Sequence, residues 1–100
     1  MPQLSIPGAT FYSAFDEALL FAWLESIPGV MGVVGQGRHL IVTLRSNRLS
    51  RASLTELLAL HRRYEIPMQE LARFKTAQNA SWFADPRMYW HKAVFGKTRG

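Results

Sequence analysis

Two short apolar runs around Gly35-Gln36-Gly37 constrain this chain more than any other feature. Val30–Gly35 (VMGVVG) is apolar and rich in β-branched residues. Arg38–Arg45 (RHLIVTLR) alternates: Leu40, Val42 and Leu44 share one face, and His39, Ile41, Thr43 and Arg45 share the other. The glycines between the runs supply the permissive backbone of a tight hairpin. Ala9–Ser13 (ATFYS), short, aromatic and flanked by breakers, reads as a further strand. Residues 1–8, with Pro2, Pro7 and Gly8, read as an extended, poorly fixed arm.

Helical periodicity fills the gaps between strands. From Asp16, the residues Phe15, Leu19, Leu20, Trp23, Leu24 and Ile27 recur as one wide apolar face, and Pro28-Gly29 ends the helix. Asp16 and Glu17 sit in the first turn, where the helix dipole favours acids. A second helix opens near Ser50 or Ser53, and Ser53-Leu54-Thr55-Glu56 has capping-box spacing. Its apolar face holds Leu54, Leu57, Leu58, Leu60, His61 and Tyr64, and Ile66-Pro67 ends it. Pro67 to Phe74 reads as a short helix with Met68, Leu71 and Ala72 inward. Asp85-Pro86 signals a last helix that stops at Gly96, with Lys97–Gly100 frayed. The expected fold is α+β. A β-α-β-β-α core carries a small antiparallel or mixed sheet packed by helices, followed by short C-terminal helices. An incomplete ferredoxin-like layer is one such arrangement.

One hundred residues make a single domain with a single core. There is no cysteine, so disulfides, thiol nucleophiles and thiolate metal sites are excluded. No apolar run approaches the ~20 residues of a membrane span. The N-terminus lacks a signal-peptide pattern, so the expectation is a cytoplasmic protein without membrane partners. The formal charge is +5 and is unevenly placed. Residues 1–50 sum to zero, whereas 51–100 set nine basic residues against four acidic ones. No acid lies between Glu25 and Glu56, yet four arginines do. Such asymmetry suits a polyanion or an acidic protein surface, or simply a solvated basic face.

Catalytic signatures are absent. The glycines at 29, 32, 35 and 37 fit neither a dinucleotide fingerprint nor a P-loop. His39, His61 and His91 form no metal-ligand pair, and the serines lie in loops or caps without a nucleophile elbow. No enzyme, metal or cofactor is expected. His61 stands out because it falls within an apolar helix face; a histidine hydrogen-bonded to backbone explains it most simply.

Two binding surfaces are candidates. Tyr, Trp and Arg dominate protein-binding hot spots. The tail offers Trp82, Arg87, Trp90, His91 and Lys92 as a mixed patch for a protein partner. Alternatively, Arg45, Arg48, Arg51, Arg62 and Arg63 hold the phosphates of a nucleic acid while aromatics stack on bases. A homodimer that completes the core is a third expectation.

The stretch His61–Phe74 (HRRYEIPMQELARF), then Asn79–Pro86 (NASWFADP) and Tyr89–Gly96 (YWHKAVFG), resembles the C-terminal pattern of small bacterial immunity proteins of contact-dependent inhibition and polymorphic-toxin systems. The resemblance implies a non-enzymatic protein that binds a cognate toxin and occludes its active site. The positive charge then requires that the toxin's matching surface be acidic or predominantly apolar.

Overall fold

The computed structural model describes residues 1–7, 13–37 and 39–96. In chain order the elements are β1 (Gln3–Ile6), α1 (Ala14–Ser26), β2 (Val30–Gln36), β3 (His39–Leu44) and α2 (Arg51–Arg63). A 3-10 helix (Gln69–Phe74) and the short helices α3 (Ala80–Phe83) and α4 (His91–Phe95) follow. The fold is α+β, as the alternation of periods required.

The sheet is antiparallel in the order β1-β3-β2, so the alternating strand is central. Leu4 lies opposite Val42 and Ile6 opposite Leu40. Leu4, Ile6, Val42 and Leu44 are fully buried against the helices. On the other face Ser5, Ile41 and Val34 line up across the three strands. The register of β2 shifts by a bulge between Val30 and Gly32. Gly37, at φ 60° in the hairpin, occupies the left-handed region that favours glycine.

The segment read as a loose arm is therefore a fixed edge strand, β1. Its alternation of Leu4 and Ile6 is too short to stand out between two prolines. The strand expected at Ala9–Ser13 falls largely outside the described residues. Ser13 itself caps α1, accepting a hydrogen bond from the Asp16 N–H at 3.1 Å.

On α1 only Leu20 and Leu24 are buried within the helix, with Ile27 buried at its C-cap. Phe15 is 83% exposed and Leu19 64% exposed, so the expected wide apolar face is narrower than its periodicity implied. Trp23 is held at the side of α2, where its indole N–H donates to Glu56 at 2.7 Å.

The α2 face matches its reading: Leu54, Leu57, Leu58, Leu60 and His61 are buried. Its cap differs from the expected box. Ser50 is the N-cap, accepting from the Ser53 N–H at 3.1 Å. Ser53 is buried and donates instead to the Pro28 carbonyl at 2.7 Å. The helix also ends before Ile66. Glu65 takes φ 56°, the Glu65 N–H bonds the Arg62 carbonyl and the Ile66 N–H bonds the His61 carbonyl. That pairing is a Schellman motif with glutamate where glycine usually sits.

The tail also departs from its reading. Asp85-Pro86 opens a turn rather than a helix, because the Asp85 carboxylate accepts from the Arg87 N–H at 2.9 Å. Helix resumes only at His91 and stops at Gly96. A Cβ at Gly96 would lie 2.3 Å from the Lys92 carbonyl oxygen, so close approach explains that glycine.

Candidate functional site

The loop from β3 to α2 is pinned at both ends by short polar residues. The Arg45 N–H bonds the Gly29 carbonyl at 2.8 Å. Ser46 accepts from the Arg48 N–H at 3.1 Å, closing a local turn. Ser50 and Ser53 then fix the start of α2. This leaves the side chains of Arg45, Arg48 and Arg51 exposed. The three arginines line two adjoining clefts of about 180 and 370 Å³. The clefts share Arg48, Leu49 and Ser50, so they form one groove. No aspartate or glutamate lines either part.

The wider part of the groove ends at Trp82. Thr76 and Asn79 build its floor. The Asn79 side chain accepts from the Thr76 N–H at 2.7 Å, the Thr76 hydroxyl accepts from the Asn79 N–H at 3.2 Å, and the Asn79 amide donates to the Phe74 carbonyl. Trp82 sits just beyond this reciprocal cap, half-buried. The Arg51 guanidinium lies over its ring, 4.9 Å from the centroid. Arg45, Arg48 and Arg51 make no ion pair with any described residue. Electrostatically the groove combines three uncompensated guanidinium groups with the positive end of the α2 dipole.

Arg62 and Arg63 lie elsewhere. They are 11 and 12 residues along α2 from Arg51, about 17–18 Å at the helical rise. Arg62 stacks near the exposed ring of Tyr89, 5.8 Å from its centroid. It also borders a third cleft, of about 620 Å³, whose wall includes His61, Glu65, Met68 and Ala93. The five candidate arginines are thus two groups at opposite ends of one helix.

The buried histidine has a local explanation. His61 Nδ1 is 2.8 Å from the Leu57 carbonyl, so Nδ1 carries the proton and donates. Burial pushes the His61 pKa below its ordinary value, and the Leu57 bond only partly opposes this.

The tail residues divide between core and surface. Trp90 is buried, and its indole N–H donates to the Phe83 carbonyl at 2.7 Å. It meets Trp82 edge-on at 6.2 Å, so it packs Trp82 in place instead of presenting a ring to a partner. Arg87 is exposed but tied to Asp85 by a 2.9 Å ion pair. The hydrogen bonds from Arg87 hold the Asp85 carboxyl down to about 2. His91 is half-buried against Phe95, and Lys92 is exposed. Among the described residues, no ring or hydrogen-bond contact joins Arg87, His91 or Lys92 to Trp82.

Several residues of these surfaces escaped sequence reading. Thr76 and Asn79 were legible only as a T-x-x-N spacing. Tyr89, which the sequence offers only as one more aromatic of the tail, is half exposed. Met31 and Val34, read as strand apolar residues, are exposed on the edge strand β2. Among the described residues there is no group of three or more His, Asp or Glu able to hold a metal ion. No helix among them is long and apolar enough to cross a membrane.

No protein-family model, no curated protein and no solved structure matches this chain.

Proposed function

We propose that this chain is a non-enzymatic nucleic-acid-binding protein that uses the Arg45–Arg48–Arg51 groove. One observation carries the reading: three arginines converge on a groove that contains no carboxylate, beside the positive end of a 13-residue helix. Phosphates are the anions that such donors suit, since guanidinium forks and helix N-terminal amides both favour them. Binding to a fluorescent oligonucleotide tests it. Affinity is expected to fall steeply as salt rises, because each neutralised phosphate releases condensed counterions. The double variant Arg48→Gln/Arg51→Gln weakens binding at least tenfold without loss of helical signal. Salt-insensitive binding, or none, overturns the reading.

A second reading, a protein-binding module such as a toxin-neutralising immunity protein, draws on a different surface. Phe15, Leu19, Met31 and Val34 are large, apolar and exposed on α1 and β2. The edge strand β2 carries no charge and no proline, so little guards it against pairing with another chain. The partner is a cognate toxin or a second copy of this chain. A toxin gene immediately upstream, whose product co-purifies, supports the first. Dimers lost on Val34→Lys support the second. Unrelated neighbouring genes together with a strictly monomeric protein remove both.

A further inference from the structure

The nucleic-acid reading says where phosphates go but not which form of nucleic acid the groove accepts. The ring of Trp82 answers this. Phe83 packs beside it at 5.8 Å, and Trp90 meets it edge-on. Trp90 is itself locked by its bond to the Phe83 carbonyl. The Thr76–Asn79 cap fixes the chain just before it. Trp82 is thus an aromatic surface held rigidly at the end of a basic groove. Arg51 covers that ring, and Arg51 is a long, exposed side chain with no carboxylate to hold it there.

We propose that Trp82 is a stacking platform for one base of a single-stranded nucleic acid, and that Arg51 is the side chain the base displaces. This rests on the nucleic-acid reading of the groove. In the free protein the Arg51 guanidinium occupies the ring as a cation–π partner. When a strand enters, a base takes its place and Arg51 swings to a phosphate beside Arg48. The exchange is favourable on both sides. A base stacks over more of the ring than a guanidinium does, and a solvent-exposed cation–π contact is weak. Arg51 meanwhile exchanges a quadrupole for a full negative charge. A duplex cannot make this exchange, since its bases are stacked on one another and only its phosphates are presented. The groove, at about 370 Å³, is also the size of a small-ligand cleft.

Sequence preference is expected to be slight. The Asn79 amide is committed on both sides to Thr76 and Phe74, and the Ser50 hydroxyl is committed to Ser53. Of the amides lining the groove, the exposed Gln78 is left to read base edges, whereas every base offers a face for stacking.

The experiment compares three probes on the full chain by fluorescence anisotropy: a 12-mer of thymidine, the same 12-mer with abasic sites, and a 12-base-pair duplex. The wild-type protein binds the thymidine strand about tenfold more tightly than the abasic strand or the duplex. Trp82→Leu removes that ratio, bringing thymidine-strand affinity down to that of the abasic strand. Arg51→Gln keeps the ratio but lowers the salt slope by about 0.7, one single-strand phosphate contact. Photocrosslinking of the unmodified protein to a 5-iodouracil strand gives an adduct at Trp82, which needs no variant to fold. Equal affinity for thymidine and abasic strands, or an adduct only at Tyr89, overturns the stacking proposal while leaving phosphate binding intact. An unchanged salt slope in Arg51→Gln overturns the exchange. Failure to bind any of the three probes overturns the nucleic-acid reading itself.

Discussion

Trp82 and Trp90 look interchangeable in the sequence, both within an aromatic tail, and the structure gives them opposite duties. Trp90 fills the core and satisfies its indole N–H on a backbone carbonyl; Trp82 ends a groove. Truncation separates them. Trp90→Ala is expected to lower stability by about 3–5 kcal/mol, since it leaves a cavity and strands the Phe83 carbonyl. Chemical denaturation measures this, and a loss under 1 kcal/mol would show that Trp90 is not core. His61 makes a second residue-scale prediction. Its folded-state pKa is lowered by burial, so the folded chain resists a proton that the unfolded chain accepts. Stability contributed by neutral His61 is complete above the ordinary histidine pKa of 6.5 and is lost as pH falls below it. The melting temperature should therefore be lower at pH 5 than at pH 7.5. Replacing His61 with leucine should flatten the part of that dependence that begins near 6.5. An unchanged profile in the variant would assign the acid sensitivity to other groups.

Among the elements, those whose pattern is local and repeated were legible in advance. The β2–β3 hairpin and the buried face of α2 follow from alternation and from helical spacing, because each apolar position reports one side of one element. Elements fixed by distant partners were not. Strand β1 has only Leu4 and Ile6 to mark it and owes its order to β3. The wide apolar face of α1 overstates its burial, since nothing in local spacing says that Phe15 and Leu19 lack a cover. The Ser53–Glu56 box failed for the same reason: Pro28 and Trp23, more than 20 residues away in the chain, claim its two polar side chains. The groove shows both cases. Arg45, Arg48 and Arg51 are clustered in sequence and were readable as a patch. Their meeting with Trp82, some 30 residues on, depends on the turn at Thr76–Asn79. The end of α2 offers a test at this scale. Glu65 adopts a left-handed conformation that costs a side-chain-bearing residue roughly 1–2 kcal/mol. Glu65→Gly keeps both Schellman bonds and removes that cost, against some added entropy in the unfolded chain. The expected gain is about 1 kcal/mol in denaturant unfolding. A loss of stability would mean that the Glu65 side chain makes a compensating interaction at the neighbouring cleft.

Across the whole molecule, the +5 charge acts through its distribution more than its size. The acid-free stretch from Glu25 to Glu56 folds so that Arg45, Arg48 and Arg51 line one groove, while Arg62 and Arg63 are carried to the far end of α2. The two ends of that helix are electrostatically unlike. Anions are favoured at the Arg51 end by the dipole, whereas the cations Arg62 and Arg63 already satisfy the negative end. Two variants of equal net charge separate total charge from placement. Arg48→Gln/Arg51→Gln and Arg62→Gln/Arg63→Gln each remove two positive charges. If binding depends on total charge, both lose affinity alike. If the groove is the site, the first removes two phosphate contacts and the second removes none. Each single-strand contact contributes about 0.7 to the salt slope. Between 50 and 200 mM salt, the affinity drop for a short single strand should then shrink about sevenfold in the first variant. In the second, the drop should match the wild-type chain. Equal shrinkage in both would show that nucleic acid is held by the diffuse field of the protein and that the groove has no special part in binding it.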